Sequence, residues 1–189
     1  MIDWGNFNAF FSTGIPSAIL YSSLMIMVVA IIVGVLWFMI IKRSKNKEIL
    51  CKYVLWVLFA EYLFIVACST IIFRGEQSFT YAKLELVPFW TYWAVIEHVP
   101  GVSIWDIILN VVLFMPLGFL VTLLFPEIAW WKILIIAMAM SVAIETNQYF
   151  FEKGIAQIDD VMHNSIGAIL GWLVANGCIR ITNNCKSSL

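Results

Sequence analysis

Five stretches of about twenty mostly apolar residues dominate this chain, at roughly 18–41, 49–73, 104–125, 129–150 and 161–181. Each is long enough, at about 1.5 Å per helical residue, to cross the hydrocarbon core of a bilayer with some tilt. The composition closes the alternatives. Of 189 residues, 62% are hydrophobic and only 12% charged, with a mean hydropathy of +0.94. A soluble fold of this size has too little interior to hide that much apolar surface. Four cysteines, sparse and irregularly spaced, do not make a secreted disulfide scaffold. Lys+Arg 11 against Asp+Glu 12 leaves no basic face for a nucleic acid. The expected class is an all-α integral membrane protein, a compact bundle of about five transmembrane helices.

Orientation follows from the basic residues of the short loops. Lys42, Arg43, Lys45, Lys47 and Lys52 cluster after the first span. With that loop cytoplasmic, Lys132, Arg180 and Lys186 also fall inside, so eight of the 11 basic residues are cytoplasmic. Arg74, Lys83 and Lys153 remain outside. The N-terminus is then outside and the C-terminus cytoplasmic. The first span is too long, and starts too late, for a cleavable signal peptide, so it reads as a retained helix.

Three segments are not clean spans. Residues 4–11 are aromatic-rich and suit an interfacial position. Residues 74–103 form the long loop, where Phe89, Trp90, Tyr92 and Trp93 beside Pro88 predict a piece that lies in the interface or re-enters the membrane. Residues 182–189 are a short polar tail expected to be disordered. There is no internal repeat, so residues 1–189 read as one membrane domain. Cys51, Cys178 and Cys185 fall toward the cytoplasmic side and Cys68 within a span; none suggests a disulfide or a metal role.

Charge is expensive in lipid, so its placement is informative. Asp106 and Asn110, spaced i,i+4, open the third span. Ser141, Glu145 and Gln148 form a stripe near the end of the fourth. Asp159, Asp160, His163 and Asn164 open the fifth, and Arg74 ends the second. The topology sends all of these to the outer leaflet. Asp106, and one of Asp159 and Asp160, also suit helix capping, since acids are favoured at helix N-termini. Glu145 does not, because an acid near a helix C-terminus opposes the macrodipole. His163 alone suits a satisfied core group as well as a ligand. Glu61, mid-span, is expected to be neutral and hydrogen-bonded, with proton coupling as its functional alternative. Gly167 and Gly171 continue the Asp160–Asn164 line inward and would let helices approach closely. Pro116 and Gly118 predict a kink in the third span.

The run Asn110-Val-Val-Leu-Phe114-Met-Pro116-Leu-Gly118, then Ile144-Glu145-Thr-Asn-Gln148, then Asp159-Asp160-Val-Met-His-Asn164-Ser-Ile-Gly167-Ala-Ile-Leu-Gly171, resembles the VanZ-like family. Leu86-Val87-Pro88-Phe89 is similar to its preceding motif, and the likeness covers about residues 60–181 in matching order. The resemblance implies a bacterial plasma-membrane protein with an envelope-related role; the family is named for a member implicated in low-level resistance to the lipophilic glycopeptide teicoplanin. Asn110, Glu145, Gln148, Asp160 and Asn164 match its recurring polar positions. Two departures make the mouth of the bundle more acidic, unless Lys153 or Arg74 compensates. Many members carry an Arg and an Asp just before the paired Asp, where this chain has Gly154-Ile-Ala-Gln157-Ile. Glu85 stands where the family usually has Asn.

Three functions remain open at this stage. The first is a binding or shielding protein whose polar outer cleft holds an amphipathic partner: a membrane lipid, a lipid-linked cell-wall precursor or a lipoglycopeptide. The second is a membrane enzyme acting on a phospholipid headgroup or lipid-linked precursor, with Glu145, Asp106, Asp160 and His163 sharing acid–base work or holding a divalent cation. The third is a small transporter. The oligomeric state is left open.

Overall fold

The computed structural model describes residues 47–72, 84–99 and 102–187. The expected first span, the interfacial segment before it, Arg74 and the last two residues lie outside the described residues. The described elements are α1 (Lys47–Ala67), continued by a π-helical turn (Cys68–Ile72), β1 (Leu84–Glu85), α2 (Trp90–Ile96), α3 (Ile104–Leu124), α4 (Trp130–Phe150), β2 (Ala156–Gln157) and α5 (Ile158–Ser187). Four of these helices are long and apolar enough to cross a membrane, over Cys51–Thr70, Ile104–Leu124, Trp130–Phe150 and Ile158–Asn184. They correspond to the second to fifth expected spans. The last runs on through much of the polar tail, as helix.

Three glycines set how the helices meet. A Cβ at Gly118 would overlap the Ala168 carbonyl oxygen, one at Gly167 the Val111 carbonyl, and one at Gly171 the Met115 carbonyl. Partners that advance together along both chains make α3 and α5 parallel, backbone against backbone. Without a hydrophobic drive between helices in lipid, such close approach is a main source of attraction. Gly118 is therefore a packing residue, and α3 continues as one helix through Pro116. The missing N–H of that proline frees a carbonyl one turn earlier. Beside it, the Tyr62 hydroxyl donates to the Leu113 carbonyl at 3.1 Å, tying α1 to α3.

The remaining helices run antiparallel to their neighbours. Trp56 of α1 meets Phe125 edge-on at the end of α3, while Tyr62 reaches Leu113. On α4, Ser141 faces Asn164 of α5 at 2.7 Å. The Trp172 indole N–H donates to the Ile128 carbonyl just before α4. Hence the C-terminal ends of α1 and α4 and the N-terminal ends of α3 and α5 share one end of the bundle. Phe114, Leu117, Ile133, Ala137, Ile144 and Ala168 form the apolar core.

At that same end, the loop between α1 and α3 folds back. β1 pairs with β2 in parallel, Leu84 against Ala156 and Glu85 against Gln157. α2, with seven residues, rises only about 10 Å and cannot cross a bilayer. It buries Thr91 and Ala94 and exposes Phe89, Trp93 and Ile96. This is the geometry of an amphipathic segment lying along the bundle.

Candidate functional site

Helical periodicity turns the polar residues of three helices toward the bundle interior. Asn110 continues the stripe of the buried Phe114, Leu117 and Val121 on α3, spaced three or four residues apart. Ser141, Glu145 and Gln148 continue that of Ile133 and Ala137 on α4. Asn164 precedes the buried Ala168 and Ala175 on α5. The result is a buried polar layer stacked on the apolar core, at the end where α2 lies. Glu145 is 8% exposed, Asn164 3%, and Gln148 and His163 2% each.

Hydrogen bonds join this layer to its surroundings. The Gln157 backbone N–H donates to Glu145 Oε2 at 3.0 Å, so the acid that opposes its own helix dipole is anchored by the neighbouring strand. Gln148 Nε2 donates to the Thr70 carbonyl at 3.4 Å, in the π-helical turn after α1. Asn164 Nδ2 donates to Ser141 Oγ at 2.7 Å. His163 Nε2 lies 2.9 Å from the Tyr92 hydroxyl, and the two rings meet edge to face.

Three buried atoms of the layer have no hydrogen-bond partner: Gln148 Oε1, His163 Nδ1 and Asn164 Oδ1. An unsatisfied buried polar atom costs about 1–3 kcal/mol. Native structures keep such atoms where a ligand, ion or water completes them.

Asp159 has a different task from the one its position announced. It caps α2 rather than its own helix: its carboxylate accepts from the Phe89 N–H at 2.7 Å and the Thr91 N–H at 2.8 Å. These are the free donors of the first turn of α2, and the negative charge also suits that end of the helix dipole. Phe89 itself adopts a left-handed φ of 67°. The Thr91 hydroxyl donates to Gln157 Oε1 at 3.2 Å. Gln157 therefore links β1, α2 and Glu145.

Asp106 and Glu85 take local partners instead. Asp106 is exposed and completes a capping box on α3, accepting from the Ser103 N–H at 2.7 Å while Ser103 accepts from Trp105. Glu85 accepts from the Val87 N–H at 3.0 Å in its own turn. Asp160 is half-buried beside the buried Asp159. Among the described residues, no three His, Cys, Asp or Glu side chains assemble as a metal site. Thr91 and Gln157 joined the layer without a sequence signal of such a role, because their partners lie far away in the chain, while Tyr92 was visible only as part of the aromatic segment.

A cavity of about 480 Å³ lies deeper, between α1, α3 and α5, lined by Leu58, Glu61, Met115, Pro116, Phe119 and Gly171 among others. Glu61 is its one carboxylate. The hydrogen bond expected of it is not made to any described residue.

These features define a polytopic helical membrane protein with a buried polar layer inside one end of its bundle. A family profile described as VanZ/LLP1 matches residues 53–180. The chain belongs to the VanZ/LLP1 family, whose members are membrane proteins linked to antibiotic resistance. Searches of curated proteins and of solved structures found no match. The family match begins within α1 and ends within α5, so it takes in α2, β1, β2 and every member of the polar layer.

Proposed function

We propose that this protein holds the polar end of an amphipathic molecule in the polar layer, at the outer face of the bacterial plasma membrane, and thereby confers low-level resistance to lipoglycopeptides of the teicoplanin kind. The observation that carries this reading is the trio of buried, unpartnered polar atoms on Gln148, His163 and Asn164 beside the Glu145 carboxylate. A layer meant only to hold helices together would satisfy its own atoms. The exposed Phe89, Trp93 and Ile96 of α2, with Phe150 and Phe151 at the end of α4, suit the acyl part of the same molecule. The basic loop before α1 supports the orientation, since it favours a cytoplasmic position for the opposite end.

The test is protection at matched expression. Glu145→Gln keeps the shape of the side chain and removes its charge. It is expected to lower lipoglycopeptide protection while membrane levels of the protein stay equal. Unchanged protection at equal levels overturns the reading.

A further inference from the structure

Among the described residues, the cavity between α1, α3 and α5 is open at the side of the bundle, since Leu58 and Val174 in its wall are 44% and 49% exposed. Apart from Glu61 and Tyr62, the side chains around it are apolar. We infer that residues 18–41, the uncharged apolar span outside the described residues, dock in this groove as a helix antiparallel to α1.

α1 meets the groove along one stripe, Val54, Leu58, Glu61 and Ile65, spaced four, three and four residues apart. The last three line the cavity. The stripe is exposed or half-buried, beside the face on which Tyr62 and Val66 pack into the core. α1 is also the least buried of the four helices that can cross a membrane. Glu61 stands in the middle of its Cys51–Thr70 span. An acid at that depth belongs on a face covered by protein, not on one that meets lipid. The other exposed stripe of α1, Trp56, Ala60 and Leu63, lies on the opposite side and carries no ionisable group.

The tether brings the span to that place. Only residues 42–46 separate it from the start of α1. They reach about 20 Å at full extension, or about two helix diameters of 10–12 Å, so the span is confined to the flanks of α1. So short a connection makes the two helices antiparallel and sets their register, with residues equally far from Ser44 at equal depth. Gly34 then faces Val54, Ala30 faces Leu58, Met27 faces Glu61 and Ser23 faces Ile65. Those four residues of the span repeat the spacing of the α1 stripe, so they share one helix face, and three of them are small. Small residues on one helix against larger ones on its neighbour permit the close approach that holds helices together in lipid.

The test is cross-linking of the full chain in native membranes, with the four natural cysteines replaced by alanine and protein levels matched. Ala30→Cys is paired with Leu58→Cys, and Gly34→Cys with Val54→Cys, for oxidation to a disulfide. Ala30→Cys is also paired with Val174→Cys through a short bis-maleimide. All three pairs are expected to link, read by mass from the joined tryptic peptides. Ala30→Cys with Ala60→Cys is expected to give no product above that of the single-cysteine variants. Ala30→Cys on one copy and Leu58→Cys on a differently tagged copy are expected not to link.

Linkage to Ala60→Cys in place of Leu58→Cys puts the span on the other side of α1, and linkage only between tagged copies makes a second molecule the occupant. Either result overturns the docking. So does a Val174→Cys pair that fails to link while Leu58→Cys links, which leaves the groove to lipid. Two separate disulfide pairs keep the test decisive where one variant does not reach the membrane, and absence of linkage in every pair that does reach it overturns the docking as well.

Discussion

Asp159 joins two parts of the chain that have no sequence kinship. Its two carboxylate oxygens hold the first N–H groups of α2, and it does so from a position that is 2% exposed. Asp159→Asn keeps one acceptor and loses the charge. It is expected to cost about 1–3 kcal/mol, localised at α2. Hydrogen exchange at the Thr91 amide should rise sharply while the α3–α5 seam stays protected; unaltered Thr91 exchange would refute the assignment. Sequence reasoning offered one of Asp159 and Asp160 as a cap of its own helix, and Asp159 caps a different one. An acid at a helix start caps that helix by default, and only tertiary packing brings another N-terminus closer. For Asp106 the local explanation did hold, because the partner it caps, Ser103, is three residues away. Glu145 was legible for the opposite reason: its conflict with the dipole of α4 marked it as a residue held by something else, and Gln157 proved to be part of that.

Among elements, the α3–α5 contact is the one most sensitive to added volume. Gly171→Ala places a methyl group into the Met115 carbonyl and Phe119 backbone, so the helices must separate. The expected loss is about 1–3 kcal/mol or more, read by chemical unfolding in micelles. Gly177→Ala on the same helix meets nothing within 4 Å and should be neutral or stabilising by up to about 1 kcal/mol. Equal effects from the two would show that helix propensity, not contact, is being measured. The glycine spacing on α5 was visible in the sequence because small residues four apart lie on one face. Its partner was not. Gly118 read as a kink beside Pro116, since proline and glycine together announce a bend more loudly than a seam. The loop at 84–99 was visible as an aromatic, interfacial segment, but its strand could not be foreseen, because a two-residue pairing has no period to detect.

For the molecule as a whole, the apolar spans were the clearest part of the sequence, and those falling on described residues are helices at the expected places. Length and hydrophobicity alone decide that a segment crosses lipid. The relative directions of the helices follow from the contacts; which end faces the cytoplasm rests on the basic loops. Cys51 and Cys178 are exposed free thiols, near the start of α1 and toward the end of α5, and thus at the end opposite α2. In intact cells, a membrane-impermeant maleimide is expected to spare both and to label Glu152→Cys, in the α4–α5 loop. Labelling of Cys51 in unbroken cells, with Glu152→Cys protected, would invert the protein and place the polar layer on the cytoplasmic side.

The glycine seam also bears on how the chain is made. α3 leaves the ribosome well before α5, and its closest partner backbone does not yet exist when it enters the bilayer. Until then Gly118 and the groove around it face lipid or the insertion machinery, with the Pro116-freed carbonyl still exposed nearby. The seam is therefore closed only once α5 has been made, and the polar layer, which needs Asn164 and His163 of that helix, forms no earlier.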